Sequence, residues 1–437
     1  MVNPVFRPAS EWPVIDEVDV LVAGAGPAGV AAAVASARLG ARTLIIEKHG
    51  YAGGVATASN CPFIMGFGDE TQTVKGIADE LIRLLDGMGQ ARLRTPPAMT
   101  IDPAPIGGRP LTKVVVSVEG MRVGCNRLLD RVGARRLFYA SLIGAVTQGR
   151  RVTAVGVDRV DGPGLIKAKA FVDATGDANL VWRAGGGTRT YSVEDSMTKT
   201  ILIRVGGVKG YNRPALEQAF QQEFEAGRVP FAGQDRYMGT ALLNPGEALL
   251  NITLVSGNGV EAADLTRMDG VLREQALAAV AWYRTWAPGF ADCYLVDAAC
   301  EVGVRAGRGI VGVETITTRD LDEGTPVAEP VAVGKRSYGG HGLSGFLEAW
   351  ARNNPGSRGV PWRTLLSADL DNVAAAGRAI SCEARAISCM RLMAQCMATG
   401  QAAGVTAALA SRQGKTMAET SYAAVRQALL AGGAVLE

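Results

Sequence analysis

At 437 residues, 48% apolar and 20% charged, the chain is long enough for two or three domains with well-filled cores, which excludes disorder as its overall state. Lysine and arginine number 45 against 42 aspartate and glutamate; a net charge of +3 lacks the basic excess of an electrostatic nucleic-acid binder, so no nucleic-acid partner is expected. The 55 glycines follow no Gly-X-Y period, which excludes a collagen helix and assigns them to turns and close backbone approaches.

Residues 1–16 carry prolines and no hydrophobic period, and read as a leader laid on the surface. They show no basic segment followed by an apolar core and a cleavage site, so no secretory signal is expected. From Asp16 the run VDVLVAG predicts a strand, followed by a Gly-rich turn, the Ala-rich helix AGVAAAVASARLG ending at Gly40, and a second strand, RTLIIEK. A right-handed crossover places these two strands side by side and parallel. The apolar stretch from Val18 to Leu39 is interrupted by Gly24, Gly26, Pro27 and Gly29, so it reads as strand, turn and helix rather than a membrane span.

Beyond Gly53-Gly54 the chain is irregular, then an amphipathic helix is predicted over about 74–85, and a Pro/Gly-rich passage over 96–110. Residues 137–172 are strand-rich, with a hairpin at Gly149-Arg150 and a turn at Asp161-Gly162-Pro163-Gly164, and lead into the strand AFVDATGD. Residues 190–340 alternate strands (TKTILIRV, EALLNITLV) with helices at about 215–226 and 264–286. The chain returns through the strand and turn LDNVAAAGR to a last helix, GQAAGVTAALASRQ. Seven scattered cysteines without a C-x-x-C pair suit a reducing compartment, and a cytoplasmic protein is expected.

The chemistry begins at Gly24-Ala25-Gly26-Pro27-Ala28-Gly29, a G-x-G-x-x-G run placed after a strand and opening a helix. Gly24 permits the tight turn, Gly26 admits a pyrophosphate, Gly29 allows close helix packing, and the helix N-terminus supplies N–H groups and a positive dipole. Glu47 ends the second strand, where an acid accepts a hydrogen bond from a ribose hydroxyl. Together these features predict a dinucleotide site.

The segment Glu47-Lys48-His49-Gly50-Tyr51-Ala52-Gly53-Gly54-Val55-Ala56-Thr57 resembles the part of glutathione-reductase-type flavoproteins that runs from the ribose acid beneath the flavin. Val172-Asp173-Ala174-Thr175-Gly176-Asp177 resembles the ATG motif of that superfamily. Ala375-Ala376-Gly377-Arg378, followed by Cys396-Met397-Ala398-Thr399-Gly400-Gln401-Ala402-Ala403-Gly404, resembles its C-terminal flavin-contacting motif. The combination is similar to the FAD-dependent oxidoreductase family, relatives of the fumarate reductase flavoproteins, over residues 17–60, 135–190 and 300–410.

The resemblance implies an α/β fold: a Rossmann-like FAD-binding domain of the glutathione-reductase type, discontinuous over 17–60, 120–190 and 345–415. An inserted α+β substrate, or cap, region would cover 61–119 and 191–344, and a C-terminal helix 416–437. It implies FAD as cofactor, with Gly24, Gly26, Pro27, Ala28 and Gly29 at the pyrophosphate, Glu47 and Lys48 on the adenosine side, and Gly54, Val55, Ala56 and Thr57 close to the ring system. Ala174, Thr175, Gly176, Asp177, Gly377, Arg378, Met397, Gly400, Gln401 and Ala402 complete the expected cofactor contacts. A helix starting near Thr399-Gly400-Gln401 would aim its amides at the anionic edge of a reduced flavin.

For the reacting face, His341 in the Gly-rich run SYGGHG is a candidate proton donor or acceptor, and Arg305 and Arg308 a candidate carboxylate clamp. Arg391 reads as a brace for the flavin loop. His49 reads as structural or solvent-facing, and Trp282, Tyr283 and Trp286 as core at helical spacing. Cys382, Cys389 and Cys396 recur every seven residues without a metal-type C-x2-C pair and read as buried apolar residues, so no metal site is expected; a covalent flavin link or redox thiol at Cys61 or Cys382 is the alternative.

No second G-x-G-x-x-G fingerprint, set after a predicted strand and opening a predicted helix, is read further along, which disfavours a two-nucleotide reductase. The expected function is an FAD-dependent oxidoreductase, a dehydrogenase, oxidase or reductase moving a hydride between a small organic substrate and flavin N5. The alternatives are a flavin monooxygenase or halogenase, an electron-transfer subunit, and a non-redox flavin isomerase. A redox partner protein and a homo-oligomer both remain open.

Overall fold

The computed structural model describes residues 12–68, 71–95, 100–230, 239–335 and 356–437. The first strand, β1 (Val14–Ala23), begins inside the stretch read as a leader. The helix α1 (Pro27–Arg38) follows with Pro27 at its first turn, and the chain returns as β2 (Thr43–Ile46). β1 and β2 pair in parallel, Val20 opposite Thr43 and Ala23 opposite Ile46, as the crossover predicts.

A small sheet interrupts this unit, formed by β3 (Phe63–Ile64), β4 (Ala91–Thr95), β5 (Thr100–Ile101) and β6 (Val114–Val116) in the order β3-β6-β4-β5. Two helices accompany it. The amphipathic segment forms α2 (Ile77–Gly87), and α3 (Val118–Arg131) is a helix that the periodicity reading missed. Its signal was present: Ser117 caps it by accepting from the Gly120 N–H at 2.8 Å.

The chain then completes the main sheet with β7 (Arg135–Leu137), β8 (Ala140–Gln148), β9 (Arg151–Arg159) and β10 (Gly164–Asp173). The hairpin turns at Gly149-Arg150, as expected. The order is β7-β2-β1-β10-β9-β8, parallel from β7 to β10 and antiparallel from β10 to β8, so the fold is α/β with a mixed sheet. β9 covers the first half of one edge of β10, and a late strand covers the second half.

After β11 (Thr188–Thr190) the chain builds a separate antiparallel sheet from β12 (Ile203–Gly206), β13 (Gly239–Ala241), β14 (Ala248–Leu250) and β15 (Tyr294–Ala298). The strands predicted at TKTILIRV and EALLNITLV are shorter than expected; Lys199 and Thr200 make only isolated bridges. Helices Arg213–Glu225 and Ala262–Trp286 pack on this sheet around Phe220, Trp282, Tyr283 and Phe290, a hydrophobic cluster distinct from that of the main sheet. Trp282 and Tyr283 are core, as expected, whereas Trp286 lies at the surface.

The return runs through β16 (Arg308–Ile310), which pairs with β11, the hairpin of β17 (Pro330–Lys335) and β18 (Ser357–Pro361), and β19 (Val373–Ala375), which joins β10 in parallel. The long helix Met393–Gln413 then crosses α1, and Tyr422–Ala431 ends the chain. This long helix starts well before Thr399, which corrects the expected start; a run of Met, Ala, Gln and Cys continues the helix N-terminally. Gly400 and Gly404 are required at the crossing, because a Cβ on either would fall 2.1 Å from the Ala28 carbonyl oxygen or 2.2 Å from that of Ala32.

Candidate active site

A cavity of about 1210 Å³ opens where the main sheet meets the inserted segments. Its volume exceeds the ~300–1,000 Å³ typical of a pocket for one drug-sized ligand. The turn after β1 forms one wall: Gly24, Gly26, Pro27 and Ala28 all line it. Gly24 has φ +94°, and a Cβ there would fall 2.6 Å from the Ala174 carbonyl oxygen. Gly29 lies behind the wall, its Cβ position 1.8 Å from the Gly24 carbonyl oxygen. Gly26 differs. The nearest atom to its Cβ position is Gly54 Cα at 3.9 Å, so its missing side chain leaves space that belongs to the cavity. The first turn of α1 has no side-chain cap and no acid, and its amides and positive dipole are unclaimed by side chains. Residues and space together fit a dinucleotide.

Glu47 stands beside this turn. Its Oε2 accepts from the Ala25 N–H at 2.8 Å and its Oε1 from the His49 N–H at 3.1 Å, which fixes the carboxylate against the cavity with acceptor capacity left over. Lys48 pairs with Glu301 at 2.7 Å, and His49 lies 3.4 Å from the same carboxylate. Tyr51, also on the wall, shares a hydrogen bond with Cys300 Sγ at 3.2 Å; burial, this bond and the Cys300 charge push its hydroxyl up to about 12.

Gly54 and Val55 reach the cavity, whereas Ala56 and Thr57 do not line it. Thr57 is buried, and its Oγ1 donates to the Ala52 and Gly54 carbonyls, both at 3.1 Å, which holds the turn shut. Ala174, Thr175, Gly176 and Asp177 form the next wall. The residue that shapes it is Asp173, fully buried at the end of β10 and not among the expected site residues. Its carboxylate accepts from Thr175 N and Oγ1 and from Val181 N, at 3.1, 2.7 and 3.0 Å, while burial pushes its carboxyl pKa up.

Gly377 and Arg378 line the cavity opposite, with Arg378 ion-paired to Asp177. Of the C-terminal motif only its start is present at the wall: Leu392, Met393 and Cys396 line it, while Met397, Gly400, Gln401 and Ala402 do not. Gln401 is committed elsewhere, accepting from the Ile77 N–H at 3.1 Å and donating to the Gly432 carbonyl at 3.2 Å, so it caps α2. The earlier helix start moves the amide-bearing end to Leu392-Met393.

Arg305 lines the cavity, its guanidinium donating to the Thr198 carbonyl and, at 3.3 Å, to Asn251 Oδ1. Arg308 does not. Its Nε donates to the Asp177 carbonyl at 2.9 Å, its Nη2 to Asn179 Oδ1 at 2.8 Å, and it lies 4.5 Å from the Trp182 ring centre. The expected pair is split: the chain bends over residues 305–307 before β16 begins at Arg308, and the two guanidinium groups take different partners. Arg391 does reach the wall, with Nη2 3.1 Å from Met197 Sδ. His341 falls outside the described residues. Cys382, Cys389 and Cys396 are buried as expected, and of the two thiols considered for reactivity Cys61 lines the cavity and Cys382 does not. Sequence reading passed over Phe63, Met65, Arg94 and Arg213, which line the cavity from the inserted segments and carry no local motif.

Among known proteins, thiamine thiazole synthase from Methanococcus vannielii is 30% identical over 177 residues, 39% of this chain and 60% of that protein. The match thus spans about three fifths of the relative's length. Similar solved structures include a geranylgeranyl bacteriochlorophyll reductase-like protein from Thermoplasma acidophilum, with TM-score 0.49 and 14% identity over 94% of this chain and 82% of that one. A p-nitrophenol 4-monooxygenase from Pseudomonas putida gives 0.48 and 12% over 96% and 89%. No helix among the described residues is long and apolar enough to cross a membrane. The family model for FAD dependent oxidoreductases matches residues 19–429, a span containing every residue that lines the cavity, and the chain therefore belongs to that family: it is an enzyme whose cofactor is FAD.

Proposed function

We propose that the enzyme transfers a hydride between a carbon of a small organic substrate and FAD, with the cofactor held by a glutathione-reductase-type domain and the substrate held under a cap. The observation that carries this reading is the shared cavity. One volume is walled both by the glycine turn with Glu47 and by Phe63, Met65, Thr200, Asn251 and Arg305 from the two inserted segments, which have their own sheets. The separate hydrophobic cluster over 201–299 supports treating that segment as a unit of its own.

Gly24, Gly26 and the first turn of α1 would hold the pyrophosphate, Glu47 the adenosine ribose, and Gly54, Val55, Gly176 and Gly377 would give the backbone close approach to the ring system. Bound FAD would supply N5 as the hydride donor or acceptor. Arg305, whose bonds go to a carbonyl and an amide oxygen, would orient the substrate, and Phe63, Met65 and Leu202 would exclude water from the reacting atoms.

The test is anaerobic photoreduction of the flavin followed by mixing with organic acceptors, quinones and oxygen in separate experiments. Rapid reoxidation by an organic acceptor is expected, with reduction of the flavin by NADH or NADPH well below ~10 s⁻¹, since one nucleotide fingerprint is present. Incorporation of an oxygen atom from O₂ into a substrate would overturn the reading in favour of a monooxygenase. Reoxidation by protein partners or quinones alone would favour an electron-transfer role.

A further inference from the structure

Arg94 stands on β4, with its backbone N–H bonded to the Lys113 carbonyl at 2.9 Å, and its side chain enters the cavity. The residue is 6% exposed, and its Nε is buried without a hydrogen-bond partner. No carboxylate among the described residues lies within ion-pair distance of it. The contrast with Arg92, two residues earlier on the same strand face, is direct: Arg92 pairs with Asp86 at 3.3 Å. The Arg94 guanidinium instead lies over the Phe63 ring, 4.8 Å from its centre. Burial, and then the Arg213 charge, push its pKa down to about 10, which leaves it protonated at neutral pH.

Its surroundings add positive charge. The thiol of Cys61 feels Arg305, Arg391 and Arg94 together, their pull opposing the larger effect of burial, and Arg213 also lines the cavity. A buried guanidinium without a counter-ion is costly to a folded protein, and an anion arriving from solvent removes that cost. The planar fork of arginine matches the paired oxygens of a carboxylate or a phosphate.

We propose that Arg94 anchors an oxyanion group, carboxylate or phosphate, of the substrate, so that the cavity selects organic anions. This inference rests on the reading of the cavity as a substrate chamber. Arg305 and Arg391 supplement the attraction from the same wall region, and Phe63 sets the approach of the anionic group to the guanidinium.

The test uses the full-length, FAD-loaded enzyme at low ionic strength, titrated separately with malonate and with inorganic phosphate and followed by calorimetry and by the flavin absorbance. Binding of at least one is expected, and malonate alone or phosphate alone identifies which oxyanion the subsite takes. Arg94→Met should raise that dissociation constant about tenfold or more with FAD content unchanged, and Arg94→Lys less, because a point charge keeps the attraction and loses the fork. Arg92→Gln should leave it unchanged. Absence of binding by the native enzyme at millimolar anion, an Arg94→Met constant within about twofold of native, or an equal loss in Arg92→Gln would overturn the proposal. Should Arg94→Met fail to fold, an Arg94→Lys constant equal to or tighter than native for each bound anion overturns it, and a weaker one supports it. No electrons move in these titrations, so failure of the hydride-transfer reading would be visible only in the photoreduction experiment.

Discussion

Arg378 and Asp177, 201 residues apart in sequence, form a forked ion pair on the cavity wall, Nη1 to Oδ1 and Nη2 to Oδ2, the latter at 2.7 Å. The pair joins the turn after β10 to the turn after β19. Burial alone would lower the pKa of Arg378, but the charge of Asp177 and its hydrogen bonds outweigh it. Removing either partner leaves a largely buried charge unmatched. Arg378→Met and Asp177→Asn are each expected to cost about 2–3 kcal/mol, below the ~3–5 of a fully buried pair because both side chains keep some exposure. The double variant should be more stable than the sum of the singles, as urea denaturation of all three would show; strict additivity would contradict the coupling.

Substitution at Gly26 is expected to separate cofactor binding from folding. A side chain there enters empty cavity, so Gly26→Val should leave the flavin-free protein about as stable as native while abolishing FAD retention. Gly29→Val drives a Cβ onto the Gly24 carbonyl and should destabilise the chain with or without FAD. Melting of the apoproteins, set beside their flavin-to-protein absorbance ratios, checks both halves. A yellow Gly26→Val protein would count against the placement of the pyrophosphate.

The crossing of α1 with the helix Met393–Gln413 depends on backbone contact that side chains cannot relieve. Gly400→Ala and Gly404→Ala place a methyl group about 2 Å from the carbonyl oxygens of Ala28 and Ala32. Each should destabilise by about 1–3 kcal/mol or more, with Gly400→Ala also loosening FAD, because Ala28 is on the cavity wall. Equilibrium denaturation and flavin release on dilution would measure the two effects.

Lys199 is 1% exposed, donates to Ser196 Oγ at 2.8 Å, and is pushed down to about 8 by burial and then by the Arg305 and Arg378 charges. Its ordinary value is 10.5, so between pH 8 and 10.5 the unfolded chain holds more protons than the folded one. The penalty for this group is therefore complete below pH 8 and is relieved as pH rises through that window, by up to roughly 3 kcal/mol. Lys199→Met removes the titration. The variant should exceed native stability most at neutral pH, with the gap closing toward pH 10.5, in urea denaturation at matched pH; a gap independent of pH would contradict the shift.

The sequence by itself determined what short-range chemistry controls. The turn from Gly24 to Gly29, the parallel pairing of β1 with β2, Glu47 at the strand end and the hairpin at Gly149-Arg150 all follow from backbone freedom and periodicity within some thirty residues, and the structure has them where they were expected. Family resemblance at the ATGD and AGR motifs singled out Asp177 and Arg378, which both line the cavity, but their mutual ion pair is a tertiary fact. The partition of Arg305 and Arg308 was likewise decided by the fold: Arg308 opens β16 and bonds the Asp177 carbonyl, while Arg305 stands before the strand, in a bend that faces the cavity. Gln401 matched a flavin motif and instead caps α2, because a side chain serves whichever unsatisfied amide packing brings to it. Arg94 had no local signal at all. Its significance arises from the absence, among the described residues, of a carboxylate within ion-pair distance of it, and a linear pattern records neighbours along the chain but not which charges folding brings together.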